Sequence, residues 1–473
     1  MCVIEARRHQ MSLAEGLIIE EIEELWEEWM RHVDEVLADE VLLNTVHEAL
    51  AKRHPLSRTR GRPGTPAEVV LRLLLLKHIR GWSYAVLERE VRANLVYRQF
   101  TRVGARKVPD AKTLGRIALA LGPEIIERLH ARVVAIAQEK RIVRGRRLRV
   151  DTTVVETDIH YPTDSTLLGD GVRVLTRTMK AIAKIAGAAG TKLRDRSRSV
   201  KYRLLEIGRA SRGRNAQSKK KMEHAYRKLL SITGRVVGQA RRFAREVAEG
   251  VKRGRSIQGQ LLLEAHGRYL KKMIPLVKQV MRQTRERVLR GNTRADGKLV
   301  SVFEPQTEVI RKGKASKPTE FGKLIKVQEA EGQIITHYEV YDTRPADADL
   351  LIPAVEAHRR LLGRVPRLVT ADAAFYSIKN EAAVHDMGVV RVSIPNRSTK
   401  SAERKKLQKS RWFRDAQKWR TGSEGRISVV KRRHGLNRCR YKGQSGMKRW
   451  VGLGVIGDNL INIGRALAAQ AKT

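Results

Sequence analysis

The chain has 473 residues, more than one hydrophobic core ordinarily supports, so two to four domains are expected. Its 96 Lys and Arg against 50 Asp and Glu give a formal net charge of +46. That excess, with a pI near 10.9, points to a polyanionic partner, a long nucleic acid ahead of an acidic membrane surface. No apolar run approaches the ~18 residues of a spanning helix; the best, VVLRLLLL, is cut by Arg72. The N-terminus, MCVIEARRHQ, lacks the apolar stretch of a signal peptide. Two cysteines, Cys2 and Cys439, exclude a disulfide framework or a multi-cysteine zinc site. A soluble, cytoplasmic protein associated with the nucleoid is the expectation.

In chain order, residues 15–37, EGLIIEEIEELWEEWMRHVDEVL, are acidic. Ile18, Ile22, Leu25 and Trp29 recur there at steps of four, three and four, which predicts one amphipathic helix. It packs on its own domain or forms a dimer seam. Residues 58–66, RTRGRPGTP, break the period and read as a linker. Arg60 and Arg62 within it form an ordinary basic turn or a contact in an A·T-rich minor groove. From Pro66 to Leu121 three helical stretches follow: AEVVLRLLLLKHI, SYAVLEREV and PDAKTLGRIALAL, the last capped by Asp110. They form a helix-turn-helix-like module or a plain helical hairpin.

The strand RLRVDTTVV follows, and residues 168–290 are then helical and intensely basic. So dense a run of one sign repels itself unless an anion neutralises it. From Gly297 the pattern turns α/β. LVSVF reads as a strand, and KLIKVQEAEGQIITHYEVY reads as a hairpin turning at Glu-Gly. DADLLIPAVEAHRRLL is a helix ended by Gly363, PRLVTAD a strand, YSIKNEAAVHDM a helix and VVRVSIP a strand. The sum is a mixed sheet flanked by helices.

Asp151 sits among Val150, Val154 and Val155, where an ionised carboxylate is costly unless compensated. A hydrogen bond to Thr152, Thr153 or an arginine would suffice for a lone aspartate. Asp372, however, ends another apolar strand, LVTAD. If the two strands are parallel neighbours, both carboxylates meet at one sheet edge, and a hard divalent cation, above all Mg²⁺, would relieve their repulsion. Near the C-terminus, Arg420, Glu424 and Lys431 fall within about 40° of one another on a helix. They read as an ion-binding acid flanked by phosphate-gripping cations, or as a surface ion-pair cluster. Glu156, Asp158 and Asp164, beyond the strand, read as loop caps or supporting groups.

The order strand-Asp, strand-Asp, helix-Glu resembles the DDE transposases of bacterial insertion sequences. VDTTVV with YPTD is similar to their first-aspartate strand and VTADAAFYS to their second. Arg420, Glu424 and Lys431 keep the spacing of their Tyr–Arg–Glu–Lys signature, with Gln417 at the tyrosine position. RKGKASKPTEFGKLIKV resembles the strand pair before their second aspartate, and SYAVLEREV to PDAKTL their N-terminal helical module. The resemblance implies an α/β ribonuclease-H-like catalytic core with a mixed five-stranded sheet and an N-terminal all-α DNA-binding region; the basic α-helical insertion after the first strand, read from the residues, is larger than simple members of that family carry. The expected segments are 1–57, an acidic amphipathic helix; 58–140, the DNA-binding module; 145–165 and 296–470, the catalytic domain; and 166–295, the insertion.

The implied catalytic and metal-holding residues are Asp151, Asp372 and Glu424, with two Mg²⁺ ions, or Mn²⁺ in their place. Arg420, Lys431, Arg60, Arg62, Lys312 and Lys314 are the expected DNA-binding residues. The implied partners are double-stranded DNA, as terminal inverted repeats and target, and further copies of the chain in a homodimer or larger assembly on paired ends. The implied activity is metal-dependent cleavage of transposon ends and strand transfer. The alternatives are an inactive, repurposed DNA-binding protein and a ribonuclease-H-like nuclease without strand transfer.

Overall fold

The computed structural model describes residues 2–7, 22–53, 62–294, 296–311 and 318–472. It divides into two compact units, Met1–Asp158 with Ile310–Thr473, and Ile159–Val309. In the first, strand β1 (Cys2–Val3) pairs in parallel with β2 (Arg62–Pro63). The helices before the sheet are α1 (Glu28–Leu37), α2 (Glu40–Ala51), α3 (Ala67–Ile79), α4 (Tyr84–Ala93), α5 (Leu95–Phe100), α6 (Ala111–Ala118) and α7 (Pro123–Glu139). Ser83 caps α4, and Asp110 caps α6 as expected, accepting from the amides of Lys112 and Thr113.

The acidic segment departs from the single stripe expected of it. Helical geometry lapses at residues 25–27, Leu25 is 72% exposed, and Ile18 lies outside the described residues. The break lets Trp26 and Trp29 both meet Phe100 edge-on, with centroids 5.9 and 5.8 Å away. Two aromatic contacts thus outweigh a continued helix. α3 is buried along its whole length. Arg72 is tolerated there because Asp34 and Glu68 pair with it at 2.6 and 3.1 Å.

The second unit is helical: α8 (Asp164–Ala186), α9 (Ser197–Ala210), α10 (Ala216–Ala248) and α11 (Ile257–Thr284). It has its own core, which includes Leu175, Met179, Leu229, Phe243 and Leu270. Leu299 and Val302 join that core, so LVSVF, expected as a strand, is irregular and packs on helices instead. Most of the basic residues face water, Lys219, Lys220 and Lys221 among them. Asp164 starts α8 and pairs with Arg287 at 3.2 Å.

The sheet runs in the order β4 (Glu308–Arg311), β5 (Thr319–Glu329), β3 (Arg147–Thr157), β7 (Leu368–Thr370) and β8 (Arg391–Ser393). This five-strand path is mixed, and β6 (Ile335–Val340) and β9 (Arg438–Cys439) pair off it, on β5 and β3. β3 lies antiparallel to β5 and parallel to β7, and β7 lies parallel to β8. The expected hairpin turns between β5 and β6 at Glu331–Gln333. This arrangement is compatible with a ribonuclease-H-like core.

Alternation along β3 divides its residues between two layers. Leu148 and Val150 enter one core with α12 (Leu351–Leu362), whose end is set by Gly363 in the left-handed region. Val155, on the other face, packs with Val430 of α15 (Arg411–Arg433) and Val451 of α16 (Gly443–Ala471). α13 (Ile378–Asp386) and α14 (Ala402–Lys409) complete the order. α16 also supplies Leu453, Ile456, Leu460 and Ile463 to the core built by α1–α7, so the N-terminal helices and the C-terminal helix share one interior. No described helix is long and apolar enough to cross a membrane.

Buried histidines make this interior sensitive to acid. Burial holds His130 and His434 down to about 4 and His337 down to about 3. Unfolded histidines titrate near 6.5, so on lowering the pH from there the unfolded chain takes up protons that the fold refuses, and stability falls. Asp458, pushed up to about 6 by burial, and Glu127, Asp164, Asp170 and Glu329, raised by the same cause, act in the opposite sense. His78 and His358 are also held down by burial, however, and the histidines set the net direction. Urea midpoints should therefore drop between pH 6.5 and 4.5. His130→Gln, which keeps a donor for the Ile335 carbonyl, should flatten that drop; an unchanged pH profile would refute the assignment.

Candidate active site

The register of β3 with β7 ends at Arg149 opposite Thr370. Asp151 and Asp372 each lie two residues further on, so the strands are the parallel neighbours that the sequence reading required. Both aspartates line a cavity of about 1250 Å³, and Glu424, from α15, lines it too. Asp151 accepts from the amide of Thr152 at 2.7 Å, and Thr152 Oγ1 donates to Asp347 at 3.0 Å. Asp372 accepts from the amide of Ala374 at 2.9 Å, capping a short 3₁₀ turn. Glu424 is 62% exposed and takes an ion pair from Arg420 at 3.2 Å.

Cations dominate the remaining wall. Arg420 and Lys431, expected there, are joined by Arg397, Arg432, Arg433, Arg438 and Arg440, and by Arg80 from the turn after α3. Sequence reasoning passed over most of these. The density of KRRHGLNRCR after Glu424 was their signal, whereas Arg80 had none, since only the fold brings it near. Glu156 and Asp158 both face Arg438, at 3.6 and 3.8 Å. Arg62 is exposed in a separate groove, and Arg60, Lys312 and Lys314 lie outside the described residues.

Three carboxylates are the right donors for a hard divalent ion. Among the described residues, however, no three acids, histidines or cysteines are gathered closely enough to hold one. The donor set fits in kind, and Glu424 is at present held by Arg420. Gathering the set means drawing Glu424 off its cation.

What places α15 on the sheet lies beneath the cavity. Arg149, two residues before Asp151 and on the same face of β3, donates to the Trp419 carbonyl at 2.5 Å and pairs with buried Glu329. Its guanidinium also stacks over the Trp419 ring, 4.9 Å from the centroid. Gly422 makes room for this. A Cβ there would sit 2.4 Å from Arg149 Nη1, whereas one at Gly425 would meet nothing within 4 Å. Arg426, one turn on, pairs with Asp458 of α16 at 3.0 Å and reaches Glu329 at 4.0 Å. Gln417 Nε2 lies within hydrogen-bond distance of Thr370 Oγ1, at 3.1 Å, and of the Ser393 carbonyl, at 2.6 Å.

The two glycines of α15 should therefore respond differently to alanine. Gly425→Ala should stabilise by up to ~1 kcal/mol through helix propensity. Gly422→Ala should destabilise by about 1–3 kcal/mol, because overpacking against Arg149 exceeds that gain. Urea denaturation of both variants decides it, and equal stabilisation by the two would exclude the close contact at Gly422.

Two family models match the chain. Residues 20–118 are similar to the family described as Transposase domain (DUF772), and residues 386–463 to that described as Transposase DDE domain. No curated protein and no solved structure matches. The first range spans α1 to α6, and the second contains Glu424, Arg420 and Lys431, while Asp151 and Asp372 fall in neither. Both matched families are described as transposase domains, so the chain carries two segments similar to transposase domains, one N-terminal and one C-terminal.

Proposed function

We propose that the protein cleaves DNA at the ends of its own transposable element and joins the freed 3′ ends to target DNA, using the acidic cavity as the catalytic centre. The observation that carries this reading is the convergence of Asp151, Asp372 and Glu424 on one cavity whose other charged residues are cations. Asp151, on β3, and Asp372, just past the end of its parallel neighbour β7, would be the fixed ligands for Mg²⁺, or Mn²⁺ in its place, and Glu424 the movable one. The chemistry supplied by two such ions is Lewis acidity, which lowers the pKa of an attacking water and stabilises a leaving 3′ oxygen.

The chain's own residues do the rest. A DNA phosphate entering the cavity competes with Glu424 for Arg420, whose Nε is already buried without a partner. Transfer of the guanidinium to the phosphate frees Glu424 to join the aspartates. DNA binding and completion of the acidic set are thereby coupled. Lys431, Arg432 and Arg440 hold neighbouring phosphates in register. The helical unit of residues 159–309 acts as a phosphate track that adds affinity without sequence choice, and two or more copies act on paired ends.

Asp151→Ala, Asp372→Ala and Glu424→Ala should each reduce Mg²⁺-dependent cleavage to background while DNA binding persists. Each should also weaken the stabilisation that Mg²⁺ gives in thermal melts. A variant that keeps near-normal cleavage removes that residue from the set. Arg420→Gln should slow cleavage at saturating DNA more than it weakens binding, and an unchanged rate would contradict the exchange.

For the helical unit, replacing Lys219, Lys220 and Lys221 together by Gln should make the salt dependence of binding shallower, by up to about 0.9 in log–log slope for each lost phosphate contact. Binding titrations across a salt series measure this. An unaltered slope would mean that these lysines only face solvent.

A further inference from the structure

A second basic site lies at the far end of α3. Ile4, Val69, Val103 and Ile117 form the apolar floor of a groove of about 750 Å³. Arg53, Arg62, Arg106, Lys107 and Arg116 rise around it, all exposed, and among the described residues its lining contains no Asp or Glu. Arg102 is in the wall too, but Asp34 holds it at 2.6 Å. None of the other five cations is ion-paired among the described residues. Arg116 donates a hydrogen bond to Thr113 at 3.3 Å and acts on the Asp110 carboxylate through space, without a direct ion pair.

The rim is built. Arg98 donates to the carbonyls of Gly104 at 2.9 Å and Arg106 at 2.8 Å, which braces the basic turn from below. On the opposite side, the Gly64 amide donates to the Val3 carbonyl at 2.8 Å and the Ala67 amide to that of Glu5 at 2.9 Å, which fixes the backbone after Arg62. Five like charges held apart on a braced backbone repel one another until a polyanion neutralises them.

Position decides what the polyanion is. Pro66 and Val69, at the start of α3, line this groove; Arg80 and Gly81, just past its end, line the acidic cavity. α3 has 13 residues and is wholly buried, so it is a rigid spacer of about 20 Å at ~1.5 Å per residue. On B-DNA that distance is about six base pairs at 3.4 Å per step.

We propose that this groove grips the sugar–phosphate backbone of the same duplex whose scissile phosphate enters the acidic cavity, about six base pairs from the cut. The inference rests on the cleavage reading of that cavity and adds a second, fixed contact to it. Cutting position then follows from the length of α3, as with a ruler, and the cations of the groove supply orientation while base edges supply sequence.

The test uses the full chain and a duplex made from the DNA bordering its coding sequence. Phosphate ethylation interference on the wild type should give two clusters about six base pairs apart, one of them at the cut. The triple variant Arg62→Gln, Arg106→Gln, Arg116→Gln should lose only the distant cluster, with a salt slope shallower by about two to three. Arg53→Gln with Lys107→Gln serves as a second variant should the triple one fail to fold by circular dichroism. An interference pattern and slope unchanged in the folded variant would overturn the proposal. So would intact interference with altered self-association in sedimentation, which would assign the groove to an acidic segment of a second copy. A wild type that gives the distant cluster without any cleavage would sink the catalytic reading of the cavity and leave the groove's role standing.

Discussion

Four buried charges hold α15, the helix that carries Glu424, to the sheet: Arg149 on β3, Glu329 on β5, Arg426 on α15 and Asp458 on α16. They balance two against two. Burial raises the pKa of both acids, and the two arginines oppose it, so each charge is tolerable only while its partners stay in place. Removing one member leaves another uncompensated, a loss of about 3–5 kcal/mol in buried pairs generally. The network therefore fixes which turn of α15 faces β3, and Glu424 lies between Gly422, where Arg149 docks, and Arg426, where α16 docks. Asp151 is two residues from Arg149 on the same face of the same strand. The relative position of the two acids is thus set by a contact that neither of them makes.

A second constraint joins the two segments with transposase-family similarity into one body. α16, in the C-terminal segment, completes the core of α1–α7, and α3 touches the basic groove at one end and the acidic cavity at the other. A helix buried on all sides has no freedom to tilt without opening cavities among Leu71, Leu73, Leu74 and Leu75. The N-terminal helices are in that sense part of the wall of the acidic cavity, which Arg80 lines. The long basic insertion between β3 and β4 leaves the antiparallel pairing of β3 with β5 intact, because it buries its own apolar residues in a core of its own.

Elements with a clean local period were legible in the sequence: α3 to its last residue, the Asp110 cap, the Gly363 stop, the strand bearing Asp151 and the strand that ends just before Asp372. Their signals are short-range, carried by neighbours within a turn or a pleat. The neighbourhood of the two aspartates was legible only conditionally, since parallel pairing is a long-range fact. The bracing beneath the site was not legible. Arg149 and Glu329 are 180 residues apart in sequence, and nothing local distinguishes Arg149 from the arginines at 144, 146 and 147. LVSVF misled because alternation over five residues fits a strand and an irregular stretch that drops Leu299 and Val302 into a helical core equally well. The acidic stripe misled because Phe100, which breaks it, lies some seventy residues away.

Gln417 shows how a substitution in a recognisable signature acquires a different physical role. Seven residues before Glu424, it stands on the same helical face, where a tyrosine would project a ring and a single hydroxyl. Its carboxamide instead donates from one nitrogen to groups on two strands, Thr370 of β7 and Ser393 of β8, and it is absent from the cavity wall. Thr370 lies two residues before Asp372, so this amide ties α15 to β7 much as Arg149 ties it to β3. A tyrosine hydroxyl carries one proton and could serve only one of those acceptors at a time. Glutamine at this position is therefore consistent with a helix fastened to both aspartate strands by side chains under the cavity. On the cleavage proposed above, handling of the DNA strand would fall to the arginines around the cavity, which have no counterpart in the four-letter signature beyond Arg420.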